Sequence, residues 1–136
     1  MVKEVVVTDY LTQEMIEAGV ELIRRLDNDA NLDVRAALWL YVTESDAWRL
    51  MIATPELKVV GPRKLYQKIG SLIKEIDGHS KISLGDISVI DSNDPIIRAL
   101  KVAIKSEQTD IDNGIRLTRN AIGGQYIEDV YIYRLT

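Results

Sequence analysis

Five cations, Lys58, Arg63, Lys64, Lys68 and Lys74, fall between positions 57 and 74, and no acid interrupts them. Gly61-Pro62-Arg63 sits among them. Proline suits the first turn of a helix because the N–H it lacks has no helical partner there. The segment therefore reads as a helix that begins at Gly61. The first N–H groups of a helix point outward without partners, and the dipole places partial positive charge beside them. With Lys58, Arg63 and Lys64 close by, such a start suits a phosphate, a nucleotide or an acidic peptide. Tyr66 adds a ring on which a base could stack. The same residues also make a plain helix with a solvated basic face. Neither the phosphate-loop nor the dinucleotide glycine pattern is present.

Other residue sets suggest other chemistry. Glu56-Leu57-Lys58 has the E-x-K form of the PD-(D/E)xK nucleases and faintly resembles them. Those sites need an upstream acid on a neighbouring strand to share a divalent cation. Asp33 and Asp46 are available, but Asp46 falls in a turn at the far end of a hairpin and no Pro-Asp pair precedes it. Asp86, Asp91 and Asp94 form a second acidic group, with Asp91 at the end of an expected strand and Asp94 placed to cap a helix. His79 is the only histidine, and its Gly-His-Ser setting reads as a turn rather than a base. Two stretches open like calcium loops, at Asp27 and at Asp110. The required Gly and acid at their sixth and twelfth positions are replaced by Leu32 and Leu38, and by Ile115 and Ala121, so both are rejected.

Trp39, Tyr41 and Trp48 are the third candidate, as the lining of a pocket or an interface. They lie on two apolar runs, Ala36–Val42 and Ala47–Ala53, joined by Thr43-Glu44-Ser45-Asp46. The runs read as a hairpin. A four-residue loop sets Val42 opposite Ala47, Tyr41 opposite Trp48, Trp39 opposite Leu50 and Ala37 opposite Ile52. Trp39, Tyr41, Trp48, Leu50 and Ile52 then share one face, and Leu38, Leu40, Val42, Arg49 and Met51 the other. Two apolar faces call for cover on both sides, which places the hairpin at the centre of a sheet. Ordinary core is the competing reading of the three aromatics.

The remaining elements follow from period and punctuation. Glu4–Thr8 is a possible edge strand. Thr12 caps a helix that runs to about Leu26, with Met15, Ile16, Gly19, Val20, Leu22, Ile23 and Leu26 on its apolar face. The helix from Gly61 runs to about Asp77, with Leu65, Ile69, Leu72, Ile73 and Ile76 inward. A strand lies within Ile82–Ile90, most clearly over Asp86–Ile90. Asp94 and Pro95 start a helix to about Lys105. Ser106–Asn113 is polar and reads as a loop. Ile115–Ala121 and Tyr126–Leu135 read as strands joined near Gly123-Gly124, with Arg119 and Glu128 paired across them.

Composition bounds the answer. A chain of 136 residues with 46% hydrophobic and 28% charged residues fits one soluble globular domain. There is no cysteine, so disulfides and thiolate chemistry are ruled out and a reducing cytoplasm suits the chain. No apolar run reaches the ~20 residues of a membrane span, so no membrane partner is expected. The net charge of −4 disfavours wholesale nucleic-acid binding, although the local basic face keeps nucleic acid among the candidates.

The pattern W-L-Y…E-S-D-A-W-R-L-M-I-A-T-P with G-P-R-K-L-Y, and Y-I-E-D-V-Y-I-Y-R near the C-terminus, resembles a family of small uncharacterised bacterial proteins of unknown function. The resemblance spans most of the chain. It implies a cytoplasmic bacterial protein and transfers no activity and no catalytic residue. The sequence thus predicts a single α+β domain over 1–136. Its mixed sheet has about five strands and three helices, in the order α-β-β-α-β-α-β-β. The expected function is a non-enzymatic binding or interaction module for an unknown protein or anionic ligand, with a homodimer as one form. It would use Trp39, Tyr41, Trp48, Lys58, Gly61, Arg63, Lys64 and Tyr66, and it is assigned no catalytic residue, cofactor or metal. The alternative is a metal-dependent nuclease or other phosphate-handling enzyme.

Overall fold

A computed structural model describes residues 10–76, 82–104, 114–122 and 124–136. The expected edge strand at Glu4–Thr8, the turn at His79, the loop over Ser106–Asn113 and Gly123 lie outside the described residues. The elements are α1 (Gln13–Asn28), β1 (Ala36–Val42), β2 (Ala47–Ala53), α2 (Leu57–Val60), α3 (Pro62–Glu75), β3 (Ile87–Ile90), α4 (Pro95–Ala103), β4 (Ile115–Ile122) and β5 (Gln125–Leu135). One five-stranded mixed sheet has the order β3-β2-β1-β5-β4. Among the described strands only β2 and β3 run parallel; the other neighbours are antiparallel. The α+β class and the element order follow the sequence reading.

Local chemistry sets the ends of these elements. The Thr12 side chain accepts from Met15 N at 3.1 Å and caps α1. Glu21 and Arg25 pair one turn apart at 2.9 Å, with Arg25 in the last turn where the dipole favours a cation. The helix continues to Asn28, one turn past Leu26 at most. The hairpin has the expected register throughout, from Ala36 opposite Ala53 to Val42 opposite Ala47. Asp46 adopts φ 52° in the turn, a conformation that Asp tolerates better than most residues.

Three features depart from the sequence reading. A one-turn helix, α2, precedes α3. The residues before β3 form a 3-10 turn over Leu84–Asp86, so the strand starts at Ile87. Arg119 takes φ 51°; it pairs with Glu128 at 3.7 Å as expected, but the ladder of β4 and β5 skips that position.

The core lies on both faces of the sheet. On one face α1 and α3 bury Ala37, Trp39, Tyr41, Trp48, Leu50 and Ile52 together with Leu22, Leu26, Leu65 and Ile69. On the other, α4 brings Ile96, Ile97 and Leu100 against Leu38, Val130 and Ile132. Each fully buried side chain of this size stabilises the fold by about 1.5–3 kcal/mol before chain entropy is counted.

A buried polar chain crosses the first layer. The Trp39 indole N–H donates to the Tyr133 hydroxyl at 2.8 Å, and that hydroxyl donates to the Ile16 carbonyl at 2.7 Å. Gly19 makes room for it: a Cβ there would overlap the Tyr133 hydroxyl and ring. At the edge of the sheet, the preceding turn and two side chains cover part of β3. Ile87 N donates to Leu84 O, Ile87 O accepts from Arg49 Nη2 at 3.0 Å, and Val89 N donates to the Tyr66 hydroxyl at 2.8 Å. Edge strands left open invite unwanted pairing, and here Ile87 N, Ile87 O and Val89 N are taken.

Candidate anion-binding corner

The basic residues sit on the connection between the parallel strands β2 and β3. Its first anchor is Thr54, which is fully buried. Thr54 N donates to Ile90 O at 3.0 Å, tying the chain after β2 to the end of β3. The Thr54 hydroxyl accepts from Glu56 N at 3.1 Å. Glu56 in turn accepts from Asp33 N at 2.9 Å through its carboxylate. Val60 N and Gly61 N then donate to Glu56 O at 2.9 Å and Leu57 O at 3.1 Å, which completes α2.

Gly61 lets the chain turn from α2 into α3. Its φ of 85° lies where a Cβ is strained, and Pro62 follows at the first helical position. Gly61 has no side chain with which to cap α3. Arg63, Lys64 and Lys68 are exposed. Among the described residues none of the three has an ion pair or a side-chain hydrogen bond. Arg25, Arg35, Arg116, Arg119 and Arg134, by contrast, each face an acid.

The other expected site residues are placed differently. Lys58 pairs with Asp91 at 3.6 Å, which partly offsets its charge. Tyr66 holds the β3 edge with its hydroxyl. Trp39, Tyr41 and Trp48 are only 0%, 9% and 7% exposed, so they are core beneath α1 and α3 rather than the lining of a surface. Tyr41 and Trp48 meet edge to face with centroids 5.6 Å apart, and the Tyr41 hydroxyl donates to Asp46. The aromatic hairpin and the basic helix start therefore do not form one site.

The acids disperse too. Asp86 accepts from Ser83 N at 3.0 Å before β3. Asp91 lies beyond its other end and accepts from Asn93 N at 3.0 Å. Asp94 caps α4 by accepting from Ile96 N at 3.0 Å. Asp33 reaches Glu56 through its main chain, while its carboxylate faces Arg35 Nε at 3.0 Å. Asp46 lies at the other end of β2. No group of three or more metal-ligating side chains converges among the described residues.

Three polar clamps escaped the sequence reading. Arg49 donates to Ser88 Oγ at 2.7 Å and to the Gly85 and Ile87 carbonyls at 3.0 Å. Arg134 donates to both Asp27 oxygens at 2.9 and 2.7 Å, and the hydrogen bond to Asp27 raises its pKa above the ordinary arginine value. Arg116 pairs with Asp129 at 2.7 Å and lies 5.6 Å from the Trp48 ring. A charge within an apolar strand, as at Arg49, was the one available signal.

No protein-family model, curated protein or solved structure matches the chain.

Proposed function

We propose that the protein is a non-enzymatic binding module that takes an anionic group of a partner at the α2–α3 corner. Arg63 and Lys64 hold the anion at the open start of α3, and Lys68 extends the field along the helix. What supports this reading is the clustering at one corner of three exposed cations that have no acid partner among the described residues, in a chain whose acids outnumber its bases 21 to 17. Exposed charges left without acids attract counter-charge, and the attraction weakens beyond ~8–10 Å at physiological salt.

The test is retention on an immobilised polyanion over a salt gradient. The wild type elutes late and earlier as salt rises. Arg63→Glu with Lys64→Glu removes retention, with stability changed by less than ~0.5 kcal/mol per exposed site. Retention unchanged in that double variant would sink the proposal.

Metal-dependent phosphodiester cleavage is the second reading. It draws on the Glu56 carboxylate, which accepts from Asp33 N, and on Lys58, which pairs with Asp91 beyond the end of β3. Magnesium-dependent cleavage that disappears in both Glu56→Gln and Lys58→Ala would establish it.

Self-association belongs to the first reading. On the α4 face Leu40, Met51, Ile115 and Leu117 are only partly buried, and apolar surface of this kind is commonly covered by a second copy. Sedimentation yielding only a 15.4 kDa species at high concentration would remove it.

A further inference from the structure

The α2–α3 corner presents two kinds of surface at once. Val59 is 81% exposed and Val60 38%, and they directly precede Gly61. Arg63 and Lys64 follow it, exposed and, among the described residues, without acids. The apolar pair and the cations are so near in sequence that they occupy a single corner. The apex projects outward: a Cβ on Gly61 would meet nothing within 4 Å.

The composition of this corner selects among anionic partners. A small anion uses the cations and leaves both valines in water. A phosphodiester backbone offers charge but no aliphatic surface to cover Val59. Lipid-surface segments anchor with Trp, Phe or Leu, and this corner carries only valines. A protein segment supplies both needs, carboxylates for the cations and an aliphatic side chain for the valines. A carboxylate also matches the two-pronged donor geometry of Arg63.

We infer that the partner of this corner is an acidic protein segment that carries apolar side chains among its carboxylates. The inference rests on the anion-binding reading above and names the class of partner. Arg63, Lys64 and Lys68 face the carboxylates, and the apolar side chains of the segment cover Val59 and Val60.

The experiment compares four probes on the full chain: a peptide of Glu-Glu-Leu repeats, an all-Glu peptide of equal charge, a single-stranded oligonucleotide and phosphatidylserine vesicles. The Glu-Glu-Leu peptide is expected to bind several-fold more tightly than any other probe. Val59→Ser with Val60→Ser removes that advantage and leaves all-Glu binding unchanged. Arg63→Glu with Lys64→Glu removes binding of both peptides. Thermal melts confirm that the variants fold; if a double variant does not, Val59→Ser and Arg63→Gln replace it. All-Glu binding equal to Glu-Glu-Leu binding overturns the inference and leaves the anion-binding reading standing. Tighter binding of the oligonucleotide or the vesicles overturns it in favour of those partners. Binding of no probe overturns both.

Discussion

The Trp39 indole and the Tyr133 phenol are joined by a 2.8 Å hydrogen bond inside a core that excludes water from both. They stand 94 residues apart in the chain. Removing the Tyr133 hydroxyl leaves a buried indole N–H without its acceptor, and a buried unmet donor costs about 1–3 kcal/mol. Tyr133→Phe is expected to lose that much in urea unfolding. Stability equal to wild type would mean that the hydrogen bond contributes nothing net.

Gly19 is expected to break the usual rule for helices. Gly to Ala in a helix interior normally gains up to about 1 kcal/mol. Here the new methyl group meets the Tyr133 ring and hydroxyl, and overpacking of a tight core costs about 1–3 kcal/mol. Gly19→Ala therefore lowers the melting temperature, and combining it with Tyr133→Phe recovers part of the loss. A rise in melting temperature for the single variant would refute the close approach of helix and ring.

Alkali should weaken the fold through the same residue. Burial pushes the Tyr133 phenol well above its ordinary value of 10; the hydrogen bond from Trp39 opposes the shift and the nearby Tyr131 adds to it. The folded state holds this proton after the unfolded state has released it. The stability it contributes is complete below pH ~10 and falls as pH rises past the unfolded value toward the raised folded one. Denaturant unfolding between pH 8 and pH 11 should show this decline, with a flatter profile in Tyr133→Phe. Identical slopes would assign the decline to other groups.

Tyr66 separates edge closure from ligand binding. Tyr66→Phe keeps the ring and removes the hydroxyl that accepts from Val89 N. Amide exchange at Val89 should speed up, with a stability loss of about 1 kcal/mol. Polyanion retention should not change. A loss of retention with unchanged exchange would instead give Tyr66 a place in the binding surface.

The legible parts of this molecule were those governed by local spacing. The turn Thr43–Asp46 fixed the register that sets Trp39 against Leu50 and Tyr41 against Trp48, because a hairpin loop leaves little freedom in pairing. Thr12 and Asp94 marked helix starts for the same reason. The clamps were not legible. Arg49 finds its acceptors 36 to 39 residues away, Arg134 finds Asp27 at a distance of 107, and neither separation has a period. The expected site divided along the same line. Gly61, Arg63 and Lys64 are neighbours in the chain and remained neighbours in space. Trp39, Tyr41 and Trp48 were joined to them by residue type alone, and burial under α1 and α3 took those rings out of reach.

The partly covered border of β3 also bears on how this sheet can grow. A sheet with two open borders accepts a neighbour on each, and each neighbour offers another border, so the series runs on into a fibre. With Arg49 on Ile87 O and Tyr66 on Val89 N, edge-to-edge addition to the described strands is disfavoured at β3 relative to β4. Two copies joined through β4 would present only the partly covered β3 borders to a third, which works against further stacking.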